Sequence, residues 1–393
     1  VGSEMCIRDR HTFKELLADV EQRNLQNNIV GLEASRLFAR SEINMGVDAF
    51  RDSLYAMLKR NTFLNIKFEN MLDTLGEMSR TDLYSYLKEW EQLTPLPFYS
   101  IGEPELTKVV NKGGEEFFVL KVLVSNNSDY DGIIQMNVLQ NGWWYQPMED
   151  PRARKKVEIA AHTSKEFVSV WEEQIRDVEI NTMVSGNLPY MIRQSIGNVK
   201  QERNKIVKDT IYTLPESSLE MPGEVIVDNE DSTLFVLSTP AVVGLLPKWL
   251  DKVEDTSFKY SGISWWRAPL QWTATTNAKY YGKYIRSAYV IKSGDGSQTA
   301  TWKIPVPEAG QYELYYHVFK DDELRWNDRL QGEYHFRVAY DSEMEDAYIN
   351  LRKANEGWEQ LGTYYFSADT VRVVLTDECK LRSVTADAVK IVK

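Results

Sequence analysis

The N-terminal quarter of the chain carries hydrophobic residues at helical spacing. Apolar side chains recur at i, i+3, i+4 and i+7, first at Phe13, Leu16, Leu17 and Val20. Segments 46–60 and 79–90 continue this spacing, and Pro95 and Pro97 then end it. The pattern predicts an α-helical region over residues 11–99.

The spacing changes to that of β-strands near residue 115. The stretch EEFFVLKVLVSNNSDYDGIIQMNVL reads as an apolar strand, a polar turn and a second strand, and similar short strands continue to about residue 184. This predicts a small β-sandwich of immunoglobulin-domain size over residues 100–190. Residues 191–222 show no sustained period and are predicted to be a linker.

Residues 223–393 are rich in predicted strands and hold most of the Trp and Tyr residues. Strands of this number and length predict two antiparallel sheets packed face to face. Within them, Gly294–Val318 reads as two strands joined by a Pro-Glu-Ala-Gly turn. We interpret this stretch as sandwich wall, with the turn setting the register of the strands.

The overall charge restricts the classes of ligand. The net charge is −12 and the pI is about 5.1, which argues against binding to nucleic acid or to anionic lipid. No apolar run reaches the length of a membrane span. Partners are therefore expected among glycans and proteins.

The first ten residues, VGSEMCIRDR, differ from the rest of the chain. They lack hydrophobic periodicity and resemble sequencing-adapter read-through at the end of an assembled metagenomic reading frame. The expectation is that residues 1–10 take no part in the fold and that the true N-terminus is missing. One cysteine, Cys379, then remains, and a single cysteine forms no internal disulfide.

Known catalytic motifs are absent from the sequence. None of the four histidines lies within five residues of another, and there is no HExxH, GxSxG or GxxxxGK[ST] pattern. His317 and His335 fall in strand patterns and read as core or sheet-face residues. The chain is therefore expected not to be an enzyme by itself.

Aromatic residues are the strongest chemical signal. The irregular stretch 260–284 contains Trp265, Trp266, Trp272, Asn277, Tyr280 and Tyr281. Exposed aromatic rings suit the C–H faces of sugars, and a neighbouring amide suits their hydroxyls, although about half of these rings are expected in the core. Trp326 and Asn327 mark a second candidate loop, for which a plain solvated loop is at least as good an interpretation.

Carboxylates cluster in the segment VDNEDS, which contains Asp228 and Asp231. Such clusters are usually solvated turns, and a catalytic pair would need a cleft. A structural calcium ion is the more plausible of the two functional interpretations, because hard cations take carboxylate and carbonyl oxygens.

Six motifs in the last region occur in a recognisable order: VIVDNEDS, YYGKY, SGDGSQTATWKIPVPEAGQYELYYHV, GWEQLGTYYF, VRVVLTDE and TADAVKIV. In this order they resemble the golvesin C-terminal-like domain, which is also found on xanthan lyases and is described as carbohydrate-binding-module-like. The resemblance covers residues 225–393. It implies a non-catalytic, jelly-roll or galactose-binding-like β-sandwich of an exported protein, with sugar as its ligand.

Two further expectations depend on this resemblance. If the first and last strands pair, Asp387 lies near Asp228, and the calcium site would comprise Asp228, Asp231 and Asp387. The segment 234–264 departs from the family pattern and looks like an insertion with a short helix.

A weaker resemblance covers residues 12–190, which look like the C-terminal helical and sandwich part of zinc aminopeptidase-like proteins. The zinc-binding helix of that family would lie upstream of this chain, so no catalytic residue carries over. The resemblance implies a C-terminal fragment of a larger exported protein.

Taken together, the expected fold class is multidomain, with an N-terminal α-helical segment followed by two all-β sandwich domains. Two functions stay open: a carbohydrate-binding module, or a sandwich that docks to another protein or to upstream domains of its own parent. Exposed tryptophans in a groove favour sugar, and a flat apolar patch favours protein.

Overall fold

The computed structural model describes residues 23–85, 95–140, 150–203, 207–217, 219, 223–238, 259–260, 263, 268–320, 332–341 and 343–393. They fall into two compact units, one ending at Leu219 and the other beginning at Glu220. The helix predicted around Phe13–Val20 and the short helix predicted within 234–264 lie outside the described residues, apart from a strand at 235–237.

The predicted helical region is confirmed by the three helices that the described residues contain: α1 (Arg23–Met45), α2 (Val47–Arg60) and α3 (Phe68–Ser79). Gly46 separates the first two and adopts a φ of 86°, a backbone conformation that favours glycine. The helices pack around a small core that contains Leu37, Phe50, Met57, Leu72, Leu75 and Leu83.

Ten strands follow in the described part of the first unit. They are β1 (Tyr99–Ile101), β2 (Glu105–Val110), β3 (Glu116–Asn126), β4 (Gly132–Gln140), β5 (Arg154–Ile159), β6 (Thr163–Trp171), β7 (Ile175–Asn181), β8 (Met191–Ser195), β9 (Val199–Arg203) and β10 (Thr210–Pro215). One sheet has the order β10-β6-β3-β2-β9, with β1 also on β3, and the other has the order β5-β4-β7-β8. Both contribute to one core, around Leu120, Ile134, Phe167 and Trp171.

The prediction of a linker over residues 191–222 is wrong for most of its length. Strand β8 pairs with β7, β9 pairs in parallel with β2, and β10 pairs with β6. The side chains of β9 and β10 are mostly exposed, so these strands carry no apolar alternation. Backbone hydrogen bonds at the sheet edges hold them, and hydrophobic periodicity does not report such bonds.

The described residues of the second unit form twelve strands. They are β11 (Glu224–Val227), β12 (Phe235–Leu237), β13 (Thr273–Thr276), β14 (Ser287–Lys292), β15 (Thr299–Pro305), β16 (Gly310–Val318), β17 (Glu333–Tyr340), β18 (Glu343–Asn350), β19 (Gly357–Phe366), β20 (Thr370–Thr376), β21 (Ser383–Ala386) and β22 (Val389–Val392). The front sheet has the order β11-β22-β16-β19 and the back sheet has the order β12-β15-β20-β17-β18. A small sheet, β13-β14-β21, completes the set.

Front and back sheets share one core, which confirms the predicted sandwich. In β16, Tyr312, Leu314, Tyr316 and Val318 point into this core, as do Ile304 of β15 and Val373 of β20. Trp302 is fully buried among them, with its ring centroid 6.0 Å from that of Tyr316.

The turn within Gly294–Val318 has a role different from the predicted one. Strand β15 lies in the back sheet and β16 in the front sheet, so the Pro-Glu-Ala-Gly turn carries the chain from one sheet to the other. The two strands do not pair, and the turn therefore sets no register between them. Both strands are sandwich wall, as expected.

Candidate ligand-binding face

The outer face of the front sheet is built by strand alternation. Because Leu314, Tyr316 and Val318 point inward, Tyr315 and His317 of β16 point outward. Directly opposite residues of an antiparallel pair share a face, so Trp358 of β19 lies beside His317, and Lys390 of β22 lies beside Tyr315.

Three rings meet at one end of this face. The ring centroid of Tyr281 lies 5.0 Å from that of Trp358 and 5.8 Å from that of His317, and the His317 and Trp358 centroids are 5.1 Å apart. All three side chains are partly exposed. We call Tyr281, His317 and Trp358 the ring cluster. It offers apolar ring surface and a polar imidazole within one small area.

A buried carboxyl group lies behind the ring cluster. Asp387 is 0% exposed, and its Oδ2 lies 2.8 Å from Nδ1 of His317. The backbone N–H of Tyr281 donates to both carboxyl oxygens at 3.2 Å. Burial raises the pKa of Asp387, and His317 opposes that rise. Asp387 thus positions two members of the ring cluster.

Lys390 supports the other side of the cluster. Its Nζ lies 4.9 Å from the ring centroid of Trp358 and 5.4 Å from that of Tyr315, and it forms an ion pair of 2.7 Å with Glu224. The ammonium group holds both rings by cation–π attraction while its charge is balanced by the carboxylate. Trp358 is therefore fixed from both sides, by His317 and by Lys390.

Asp228 lies near Asp387, as the sequence predicts from the pairing of first and last strands. Strands β11 and β22 pair antiparallel, with Val227 opposite Val389. Burial, followed by the charge of Asp387, raises the pKa of Asp228 well above its usual value. Two dehydrated carboxyl groups in proximity favour the neutral form of one of them.

Asp231, the third predicted calcium ligand, forms hydrogen bonds within its own turn. Oδ1 of Asp231 accepts hydrogen bonds from the Thr233 hydroxyl at 2.7 Å and from the backbone N–H groups of Thr233 and Leu234. It therefore holds its own turn. Among the described residues, no three His, Cys, Asp or Glu side chains form a group that could hold a metal ion. The calcium site stays a hypothesis from the sequence.

Four of the predicted sugar-binding residues, Trp272, Asn277, Tyr280 and Tyr281, lie in the described part of the chain. Trp265, Trp266, Trp326 and Asn327 lie outside the described residues. Trp272 packs against the sandwich core, and Asn277 Oδ1 accepts a hydrogen bond of 3.0 Å from the backbone N–H of Lys279 in a turn.

Of the two adjacent tyrosines, only Tyr281 reaches the front face. Tyr280 is 5% exposed, and its ring centroid lies 4.7 Å from that of Phe319, so its ring is buried and its contact with a ligand stays a prediction from the sequence.

Sequence reasoning missed His317, Trp358, Tyr315 and Lys390 as parts of this face. The alternation in β16 does put Tyr315 and His317 in its outward row, which is the one available signal. It cannot say that β19 and β22 are the neighbours of β16, and those neighbours supply Trp358 and Lys390.

No helix in the described part of the chain is long and apolar enough to cross a membrane. The described residues also contain one cysteine, Cys379, which forms no disulfide.

Comparison with known proteins identifies one sequence family. Residues 265–393 match the Golvesin C-terminal domain, so the match spans about a third of the chain. No curated protein matches the chain.

Among solved structures, a Paenibacillus xanthan lyase is 16% identical at a TM-score of 0.30, over 76% of this chain and 27% of the lyase. A Bacteroides uniformis β-glucuronidase is 12% identical at a TM-score of 0.21, over 80% of this chain and 32% of that enzyme. The structure of Sulfolobus Turreted Icosahedral Virus gives a TM-score of 0.16 at 10% identity, over 77% of this chain and 94% of the viral one.

This chain thus spans about a quarter of the lyase, and TM-scores this low establish no shared fold. The sequence match covers five of the six motifs, from YYGKY to TADAVKIV, whereas VIVDNEDS lies upstream of the matched residues. The C-terminal part of the chain is a β-sandwich similar to the Golvesin C-terminal domain.

Proposed function

We propose that the second unit is a non-catalytic carbohydrate-binding module and that the outer face of its front sheet is the binding surface. The observation that carries this proposal is the ring cluster, three contacting and partly exposed rings above a buried carboxyl group. A sugar presents apolar C–H faces and polar hydroxyls together, and this surface offers partners for both.

Polar groups adjoin the rings on the same face. Gln360 lies opposite Tyr315, and Glu313 lies opposite Thr363, all on β16 and β19. Gln360, Glu313 and Thr363 are exposed. They extend the surface along the two strands, so it can accept more than one sugar unit in a row.

Binding is a better interpretation of this site than turnover. A glycosidase needs two carboxyl groups that reach the substrate, whereas Asp387 is fully buried and Asp228 lies beside it. The hydrogen-bonded partner of His317 is that carboxyl group, and no serine or cysteine among the described residues bonds its imidazole. The chain would therefore act by holding a glycan.

The wider setting is part of the same proposal. The Golvesin-type sequence supports export and attachment to a larger protein. The weaker resemblance of residues 12–190 to zinc aminopeptidase-like proteins suggests what kind of parent that is. Mass spectrometry of the native protein from its source cells would test both points, by the length of the chain and by the fraction in which it occurs.

The binding proposal is tested with a glycan array and the full chain. Trp358→Ala removes the largest ring of the cluster, and Gln360→Ala removes an exposed side chain from the same face without touching the core. Tyr212→Ala is the matched control, because Tyr212 is an exposed aromatic residue on β10 of the first unit. Trp266→Ala tests the loop residue that the sequence singles out, and arrays with calcium and with a chelator test the metal.

A glycan that the wild type and Tyr212→Ala both bind should bind Trp358→Ala about tenfold more weakly or worse, the loss of one stacked ring contact. Circular dichroism and thermal unfolding of each variant exclude loss of the fold. A folded wild-type chain that binds no glycan would overturn the proposal and leave docking to a protein as the function of this unit.

A further inference from the structure

The outer face of the back sheet carries a row of positive charge. Lys303 of β15 lies directly opposite Arg372 of β20. Arg372 in turn lies opposite Ala339 of β17, two residues along the strand from Arg337. We call Lys303, Arg372 and Arg337 the cationic row.

All three side chains point to the same side. Their strand neighbours Trp302, Ile304, Val371, Val373, Phe336 and Val338 are buried in the core between the sheets. Alternation therefore directs the cationic row outward, and Lys303 and Arg372 are exposed. The row lies on the opposite side of the sandwich from the ring cluster.

Within the part of the chain that the structure describes, no carboxylate pairs with this row. Arg337 lies opposite Asp346, but Oδ1 of Asp346 is 2.7 Å from Nε2 of His335 instead. The Nε atom of Arg337 is buried and has no hydrogen-bond partner. Like charges directly across a strand pair are unfavourable, so an anion bound between Lys303 and Arg372 would relieve their repulsion.

The number and spacing of charges in the cationic row favour some classes of anionic ligand over others. A net charge of −12 and a row of three cations are unsuited to nucleic acid or to an anionic membrane, which need many clustered cations. The row lies on neighbouring strands of one sheet, so it presents separate charges side by side. That suits a polymer with widely spaced carboxylates.

An exposed ring lies on the same face. Tyr348 of β18 is 58% exposed, and its ring is stacked on His335 with centroids 4.9 Å apart and planes 10° apart. A rigid ring beside a row of cations matches a ligand that has both apolar ring faces and negative charge.

We propose that the outer face of the back sheet is a second binding surface, specific for acidic polysaccharide. The carboxylates of the polymer would pair with Lys303, Arg372 and Arg337, and one sugar ring would pack on Tyr348. This surface shares no residue with the ring cluster, so either proposal can fail while the other holds.

The test uses the full chain and two probes with the same backbone. Polygalacturonate carries free carboxylates, and its fully methyl-esterified form is neutral. Binding is measured by affinity electrophoresis and biolayer interferometry at low and at high NaCl. Lys303→Gln/Arg372→Gln removes two charges from the row. Lys112→Gln/Lys292→Gln, at two exposed lysines elsewhere, brings the chain to the same net charge.

Wild type and the control variant should bind polygalacturonate and not its methyl ester, more weakly at high salt. Lys303→Gln/Arg372→Gln should lose about tenfold or more in affinity, and Trp358→Ala should lose none. Arg337→Gln and Tyr348→Ala should each weaken binding by a smaller factor.

The proposal is overturned if the folded wild type does not bind polygalacturonate at low salt. It is also overturned if the neutral ester binds equally well, or if the two double variants lose affinity alike, since net charge would then explain the effect. Equal binding to anionic lipid vesicles or to single-stranded DNA would likewise show that the row has no specificity for polysaccharide.

Discussion

Nδ1 of His317 lies 2.8 Å from Oδ2 of Asp387, and the two residues are 70 positions apart in the chain. Asp387 is fully buried, whereas the His317 side chain is 12% exposed. The pair therefore connects the interior of the sandwich to its outer face. The hydrogen bond fixes the orientation of the imidazole. The imidazole in turn contacts the rings of Trp358 and Tyr281 and helps to position them.

We expect Asp387→Ala to lower the free energy of unfolding by about 3 kcal/mol or more, because the change leaves His317 and the Tyr281 N–H without their buried acceptor. Urea denaturation followed by tryptophan fluorescence measures this. Asp369→Asn, at an exposed aspartate of the same unit, should change the free energy by less than about 0.5 kcal/mol. Equal effects of the two variants would show that Asp387 has no structural role.

The raised pKa of Asp228 predicts a pH dependence of stability with a definite sign. A carboxyl group whose pKa is higher in the folded state is easiest to bury when protonated. Its contribution is fully present below the unfolded pKa of about 3.8 and is lost as the pH rises through the folded pKa. Asp228→Asn removes this pH-dependent loss of stability, because an amide does not ionise.

The free energy of unfolding of Asp228→Asn, relative to wild type, should therefore increase between about pH 4 and pH 8. Denaturation curves of both proteins across this interval measure the change. Asp369→Asn again serves as the control and should run parallel to wild type. If the difference in free energy of unfolding between Asp228→Asn and wild type stayed constant or decreased with pH, ionisation of Asp228 would not destabilise the folded protein, and the prediction would be wrong.

Trp302 is expected to be among the most sensitive core positions of the second unit. Its side chain is fully buried and its Nε1–H donates to the Asp387 carbonyl oxygen at 3.2 Å. Trp302→Ala should cost about 3–5 kcal/mol, and Trp302→Phe less. Leu270→Ala, at a residue that is 72% exposed, should be close to neutral. Calorimetry measures the unfolding temperatures of the three variants. A Trp302→Ala variant that unfolds at the wild-type temperature would contradict the prediction.

Amide hydrogen exchange distinguishes strands from a linker over residues 199–215. Although their side chains are mostly exposed, β9 and β10 pair with β2 and β6. We therefore expect slow exchange at the amides that face the partner strand and faster exchange at those between them. Uniformly fast exchange over both segments would refute the pairing.

Much of this architecture follows from the order of residues alone. Periods of about 3.6 and of 2 are local properties, so helical residues 23–79 and most strands of both sandwiches can be predicted from them. The motifs from YYGKY to TADAVKIV likewise indicate the similarity to the Golvesin C-terminal domain without coordinates, because each motif is a contiguous stretch of sequence. The proximity of Asp228 to Asp387 can also be predicted from the sequence, once the first and last strands of the second unit, β11 and β22, are assumed to pair.

The tertiary structure determines which strands are neighbours, and the local sequence pattern does not contain this information. Strands β9 and β10 are held by backbone bonds to distant strands, and the Pro-Glu-Ala-Gly turn crosses between sheets. The ring cluster joins a loop, β16 and β19, and the cationic row joins β15, β20 and β17. Which strands become neighbours depends on how two whole sheets close over one core, and that is a property of the assembled sandwich.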